Sequence, residues 1–132
     1  MQIIEQLNSQ QVTPTEGLTV TIERLADLLF AEQEEGFPLP TQHAYQKTTY
    51  LLNTAHNYLQ GSFPRANVSV EEHGGVFVYW IKPSCTVQLT IPSSPEKLFS
   101  IRVRKNGSTS RAYQDVTGKR LAECLQAFNL MN

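Results

Sequence analysis

The chain has 132 residues, of which 40% are hydrophobic and 17% charged, and a net charge of −1. That size suits one domain, 1–132, which buries roughly two thirds of its unfolded surface and needs no disulfide or metal to hold a core. The composition excludes a disordered chain, and no apolar run nears the roughly 18 residues of a membrane span.

Residues 1–12 carry only a weak amphipathic pattern, Met1, Ile3, Ile4 and Leu7, suited to a short helix. The opening MQIIEQLNSQ has no basic start and no long apolar core, so the expectation is a cytoplasmic protein. Thr13-Pro14-Thr15-Glu16 then reads as a helix start, with Thr13 as N-cap, Pro14 in the first turn and Glu16 as capping-box carboxylate. Leu18, Ile22, Leu25 and Leu29 follow on one helical face. Gly17 and the β-branched Thr19, Val20 and Thr21 weaken that start, so GLTVTI has a local strand alternative. The acidic run EQEEG, with Gly36 as C-terminal cap and Pro38 beyond, predicts the end of this helix.

A second helix is predicted from near Thr41 to Gly61, with Ala44, Thr48, Leu51, Leu52, Ala55 and Leu59 as its apolar stripe. Gly36–Pro40 leaves room only for a tight reversal, which predicts an antiparallel αα-hairpin. Strands are predicted near 67–72, 75–82, 85–91, 98–105 and 109–114. Val68 and Val70 alternate with polar residues, as do Val87, Leu89 and Ile91. Val76–Ile81 does not: Val76, Val78 and Trp80 point one way, Phe77, Tyr79 and Ile81 the other. We assign the first set to the core, with Trp80 packed beneath helices. Short connections, and Asn106-Gly107 above all, predict an antiparallel meander. A last helix is predicted over 118–130, capped by Thr117, with Leu121, Leu125 and Phe128 buried.

The fold class is therefore α+β: an N-terminal αα-hairpin, a four- to five-stranded antiparallel meander and a C-terminal helix. Pro64-Arg65-Ala66-Asn67-Val68-Ser69-Val70, then Gly74-Gly75-Val76-Phe77-Val78-Tyr79-Trp80, then Val87-Gln88-Leu89-Thr90-Ile91-Pro92 resembles a pattern in small uncharacterised bacterial proteins, cyanobacterial ones among them. The resemblance covers about residues 40–92. It implies this architecture and brings no activity or site residues with it.

Chemistry is thinly marked. His43 and His56 share a helix but stand thirteen residues apart and so face different ways, and His73 lies in a turn. No metal, cofactor or catalytic residue is expected on this pattern. Cys85 and Cys124 read as a buried thiol pair, a disulfide or redox pair being the alternative. Gly118-Lys119-Arg120 opens a helix without the glycine-rich loop of a phosphate site. One constellation stands out: Phe77 and Tyr79 on the outer side of the sheet, beside Arg102 and Arg104, with Arg111 on the strand after the Asn106-Gly107 turn. Charge is also divided, −6 over residues 1–96 and +5 over 97–132.

A non-enzymatic protein-interaction or accessory protein that self-associates is the first reading, with Phe77, Tyr79, Arg102, Arg104 and Arg111 as the contact surface. The alternatives are a nucleic-acid or anionic-ligand binder on the same surface, and an enzyme whose site is assembled only in space.

Overall fold

The structure, a computed structural model, describes residues 15–30 and 38–131. Its elements run α1 (Glu16–Phe30), α2 (Gln42–Tyr58), β1 (Asn67–Val70), β2 (Val76–Lys82), β3 (Cys85–Ile91), β4 (Ser100–Lys105), β5 (Ser108–Tyr113) and α3 (Gly118–Leu130). The expected helix over 1–12, the Thr13-Pro14 part of the first cap and the reversal through Gly36 lie outside the described residues. The fold is α+β, with helices before and after a five-stranded antiparallel sheet.

The strands stand in chain order, β1-β2-β3-β4-β5, as a meander. Two turns need left-handed backbone. Gly74 has φ 97° between β1 and β2, and Asn106 and Gly107 have φ 53° and 83° between β4 and β5. Glycine and asparagine adopt such angles at low steric cost. The β1–β2 turn is further tied by the Glu71 carboxylate. It accepts from the backbone N–H of Gly75 and of His73, each at 3.0 Å, and these bonds, Gly75 first, hold its carboxyl below the usual range.

Alternation sorts the sheet into two faces. Val76, Val78, Trp80, Val87, Leu89, Ile91 and Ile101 are all fully buried on one of them. The buried sides of α1, α2 and α3 join these residues in a single core. Val68 and Val70 of β1 are only half-buried on this face, as is Phe99 just before β4.

The GLTVTI segment is helical. Its threonines turn their hydroxyls back onto the helix, Thr19 to the Thr15 carbonyl and Thr21 to that of Gly17, at 3.1 and 2.8 Å. The buried side of α1 is Gly17, Leu18, Thr21 and Leu25, while Leu29 is 39% exposed. The apolar stripe of the sequence is thus rotated toward the two small residues. A β-carbon at residue 17 would overlap the Phe63 carbonyl oxygen, so Gly17 lets α1 lie directly on the chain leading into β1.

That chain, Phe63–Ala66, is where helix and sheet are joined. Trp80 Nε1 donates to the Pro64 carbonyl at 2.8 Å, and the Phe63 ring meets the indole edge-on at 6.2 Å. The Ala66 N–H donates to Thr21 Oγ1 at 3.0 Å, and its carbonyl accepts from Arg24 at 2.7 Å. Both backbone groups of Ala66 are thus satisfied by side chains of α1, as buried polar groups require.

The other helices have their own anchors. Thr41 caps α2 by accepting from the Ala44 N–H at 3.1 Å, while its hydroxyl donates to the Ser93 carbonyl at 2.8 Å. Thr117 caps α3, accepting from the Arg120 N–H at 3.1 Å. At the far end of α3, Lys82 Nζ donates to the carbonyls of Phe128 and Met131 at 2.8 and 2.9 Å. An ammonium there complements the negative helix terminus. Nothing in the sequence pattern singles out Lys82 for this task.

Candidate functional site

The second face of the sheet is built by the alternate residues of the same strands. Cross-strand register arranges them in rows. One row runs Asn67, Tyr79, Gln88, Arg102, Ala112 from β1 to β5. On one side of it stand Ser69, Phe77, Thr90 and Ser100; on the other, Ile81, Thr86, Arg104 and Thr109. None of these positions holds an acid. Arg102 and Arg104 are exposed, Phe77 and Tyr79 are half-buried among their neighbours, and Ile81 is 57% exposed. Gln88 Nε2 makes a long 3.4 Å contact to Thr90 Oγ1 along the same strand. No described helix covers this face.

Of the five residues singled out in the sequence, four come together here: Phe77, Tyr79, Arg102 and Arg104. Arg111 does not. A plain hairpin closed by Asn106-Gly107 would set Arg111 opposite Arg102 on the open face. The register instead shifts between Val103 and Arg104, so Arg111 lies opposite Val103 and Ala112 opposite Arg102. A β-bulge of this kind inserts one residue and reverses the facing of everything after it. It separates two like charges that would otherwise be direct cross-strand neighbours, and it turns Tyr113 toward the core beside Ile101.

On the core side, Arg111 meets a cleft of about 260 Å3 between α3 and the outer strands. Cys85 and Cys124, both buried and both free thiols, line it. Burial foremost pushes the Cys124 thiol up to about 11. A thiol held protonated is a poor nucleophile at neutral pH.

The histidines stay apart. His43 lies edge-on to Phe99 at 6.3 Å and His56 to Phe63 at 6.1 Å. His73 stays at the β1–β2 turn beside Glu71 and Glu72, at 3.2 and 3.7 Å. Among the described residues, no three His, Cys, Asp or Glu side chains converge as a metal site would require. Arg120, at the start of α3, faces Asp115 at 3.9 Å, Glu123 at 3.5 Å and the Tyr113 ring at 4.4 Å. No described helix is long and apolar enough to cross a membrane.

No family model, curated protein or solved structure matches this chain.

Proposed function

We propose that this chain is a non-enzymatic, cytoplasmic protein-contact domain that pairs with a second copy of itself through the open face of its sheet. The order of the strands carries the reading. β3 is the middle strand, with the aromatic β2 on one side and the cationic β4 on the other. Rotating a second sheet by 180° about an axis along β3 lays its β4 over the first β2. Tyr79 of each copy then faces Arg102 of the other, Ile81 faces Arg104, and Gln88 faces Gln88. The arginines meet aromatic and aliphatic side chains, not each other. Such a surface is self-complementary in the manner of an isologous dimer, and guanidinium over a tyrosine ring is a favourable contact. Packed sheets keep their strands within about 30° of parallel, which preserves this pairing. The two free, buried thiols suit a reducing compartment.

Size sets the strength. Strands about 4.8 Å apart, with roughly six residues at about 3.3 Å each, make a face of roughly 24 by 20 Å. Two such faces hide on the order of 1,000 Å2, the lower end for specific association, so a dimer of modest, micromolar affinity is expected. Light scattering coupled to size exclusion, from about 1 to 200 μM, tests this. Mass should rise toward a dimer with concentration, and Tyr79→Ser or Arg102→Ser should hold the chain monomeric. A monomer throughout that range sinks the reading.

The absence of acids from the rows around Phe77, Tyr79, Arg102 and Arg104 favours one second reading, a single-stranded nucleic-acid face. Arg111 lies on the opposite side of the sheet, so two cations carry that reading in place of three. Oligonucleotide binding that falls steeply with added salt would support it over the dimer.

A further inference from the structure

We propose that the cleft between α3 and the β4–β5 hairpin is a binding site for a small amphipathic carboxylate. Its apolar body would lie against Val103, Cys85, Cys124 and Phe128, and its carboxylate would meet Arg111 and Lys105.

The cleft is the concave space left where α3 crosses the sheet without covering its last strand. α3 packs on β3, and five of the six residues of β5 remain exposed. The four residues of the floor are all buried and carry no charged atom. The raised Cys124 thiol agrees with a floor poor in water. A ligand seated there removes apolar surface from solvent, which is the usual source of affinity in such sites.

The rim has the opposite character. Arg111 and Lys105 both line the cleft. Neither side chain makes a hydrogen bond or ion pair with any described residue. The acid that also lines the cleft, Glu123, is already held by Arg120 at 3.5 Å. The two cations outnumber that acid, so the mouth of the apolar hollow keeps a net positive charge. Guanidinium is well shaped to grip a carboxylate with two parallel bonds.

Arg111 reaches this place only because of the bulge after Val103. Bulges recur beside binding sites, where they re-aim one side chain without disturbing the rest of a strand. Separating Arg111 from Arg102 would need no cleft at all. That the displaced arginine arrives at the mouth of one, beside a second unpartnered cation, is what points to a ligand. At about 260 Å3 the space falls just below the roughly 300–1,000 Å3 of ordinary ligand pockets, so the ligand is small. One carboxylate on a short aliphatic chain satisfies floor, rim and volume together.

Sodium octanoate is a suitable probe, with 1-octanol as its uncharged counterpart, followed by amide chemical shifts in the full chain. Octanoate should bind saturably at one site, with shifts centred on Cys85, Val103 and Cys124. The double variant Lys105→Gln, Arg111→Gln should weaken octanoate about tenfold or more, since charge-assisted bonds are lost, and leave octanol unchanged. Both residues are exposed, so this variant should keep the native spectrum. Ala127→Trp, from the exposed lining of the cleft, should block both probes by filling the space. No saturable octanoate shifts up to about 5 mM, or octanoate binding unchanged in the Gln variant, would overturn the proposal. Dimerisation through the opposite face is read separately and is independent of either outcome.

Discussion

At the β1 edge of the sheet, a helix lies against the strand and the chain entering it. At the β5 edge, α3 reaches Tyr113 through Arg120, and Ser108–Ala112 stays exposed. Both are edge strands of one meander and face the same problem of unpaired backbone. The β1 side is fastened just before its strand: Thr21 and Arg24 take both backbone groups of Ala66, and Trp80 takes the carbonyl of Pro64. The β5 side answers it with a bulge and flanking cations, which deter another strand from adding on. One edge is built to hold the molecule together, and the other leaves side chains free to meet something else.

Substitutions should therefore fall in a steep order from one edge to the other. Trp80→Ala should cost about 3–5 kcal/mol, a large part of the ~5–15 kcal/mol that holds a domain together, and give an insoluble or molten product by near-UV dichroism. In the native protein, tryptophan fluorescence should be blue-shifted and poorly quenched by iodide; a red-shifted, freely quenched signal would contradict the buried indole. Gly17→Ala should come next, at about 1–3 kcal/mol in urea melts, because its methyl collides with the backbone of Phe63. The usual gain of alanine over glycine in a helix, about 1 kcal/mol, would appear if α1 did not touch that chain. Thr21→Val keeps the shape but leaves the Ala66 N–H without its partner, at about 1–3 kcal/mol. Thr109→Ala, on the open face of β5, should stay within about 0.5 kcal/mol. A cost there equal to that at Thr21 would erase the distinction between the edges.

Much of this architecture was legible in the sequence because it rests on local rules. The period of two placed Val76, Val78 and Trp80 on the core face, and Asn106-Gly107 located the last hairpin. Thr41 and Thr117 marked two helix starts. What escaped was set by contacts between distant segments. Gly17 and Thr21 read as flaws in a helix, since propensity counts only the helix and not the Phe63–Ala66 chain lying on it. The rotation of the α1 stripe away from Leu29 has the same cause. Simple alternation puts Arg111 on the open face, because it carries no sign of the bulge, which sets Val103 and Tyr113 on the core side. The cleft escaped for a related reason: where α3 stops covering the sheet depends on helix placement, which alternation does not encode. The grouping of Phe77, Tyr79, Arg102 and Arg104 was readable because all four obey simple alternation.

The bonds from Lys82 to the end of α3 bear on the order in which the molecule forms. Every strand pairs with its neighbour in the chain, so the sheet grows by closing short loops, the fast kind of step. Lys82, however, reaches carbonyls 46 and 49 positions away. Such bonds need both the β2–β3 hairpin and a completed α3, so they belong to the late stage of folding. Lys82→Met should then speed unfolding in stopped-flow measurements and leave the refolding rate nearly unchanged. A slowed refolding rate would mean instead that α3 docks early and helps the sheet to form. On the first outcome, the lysine works as a latch: it governs how long the molecule stays folded and has little influence on how quickly it gets there.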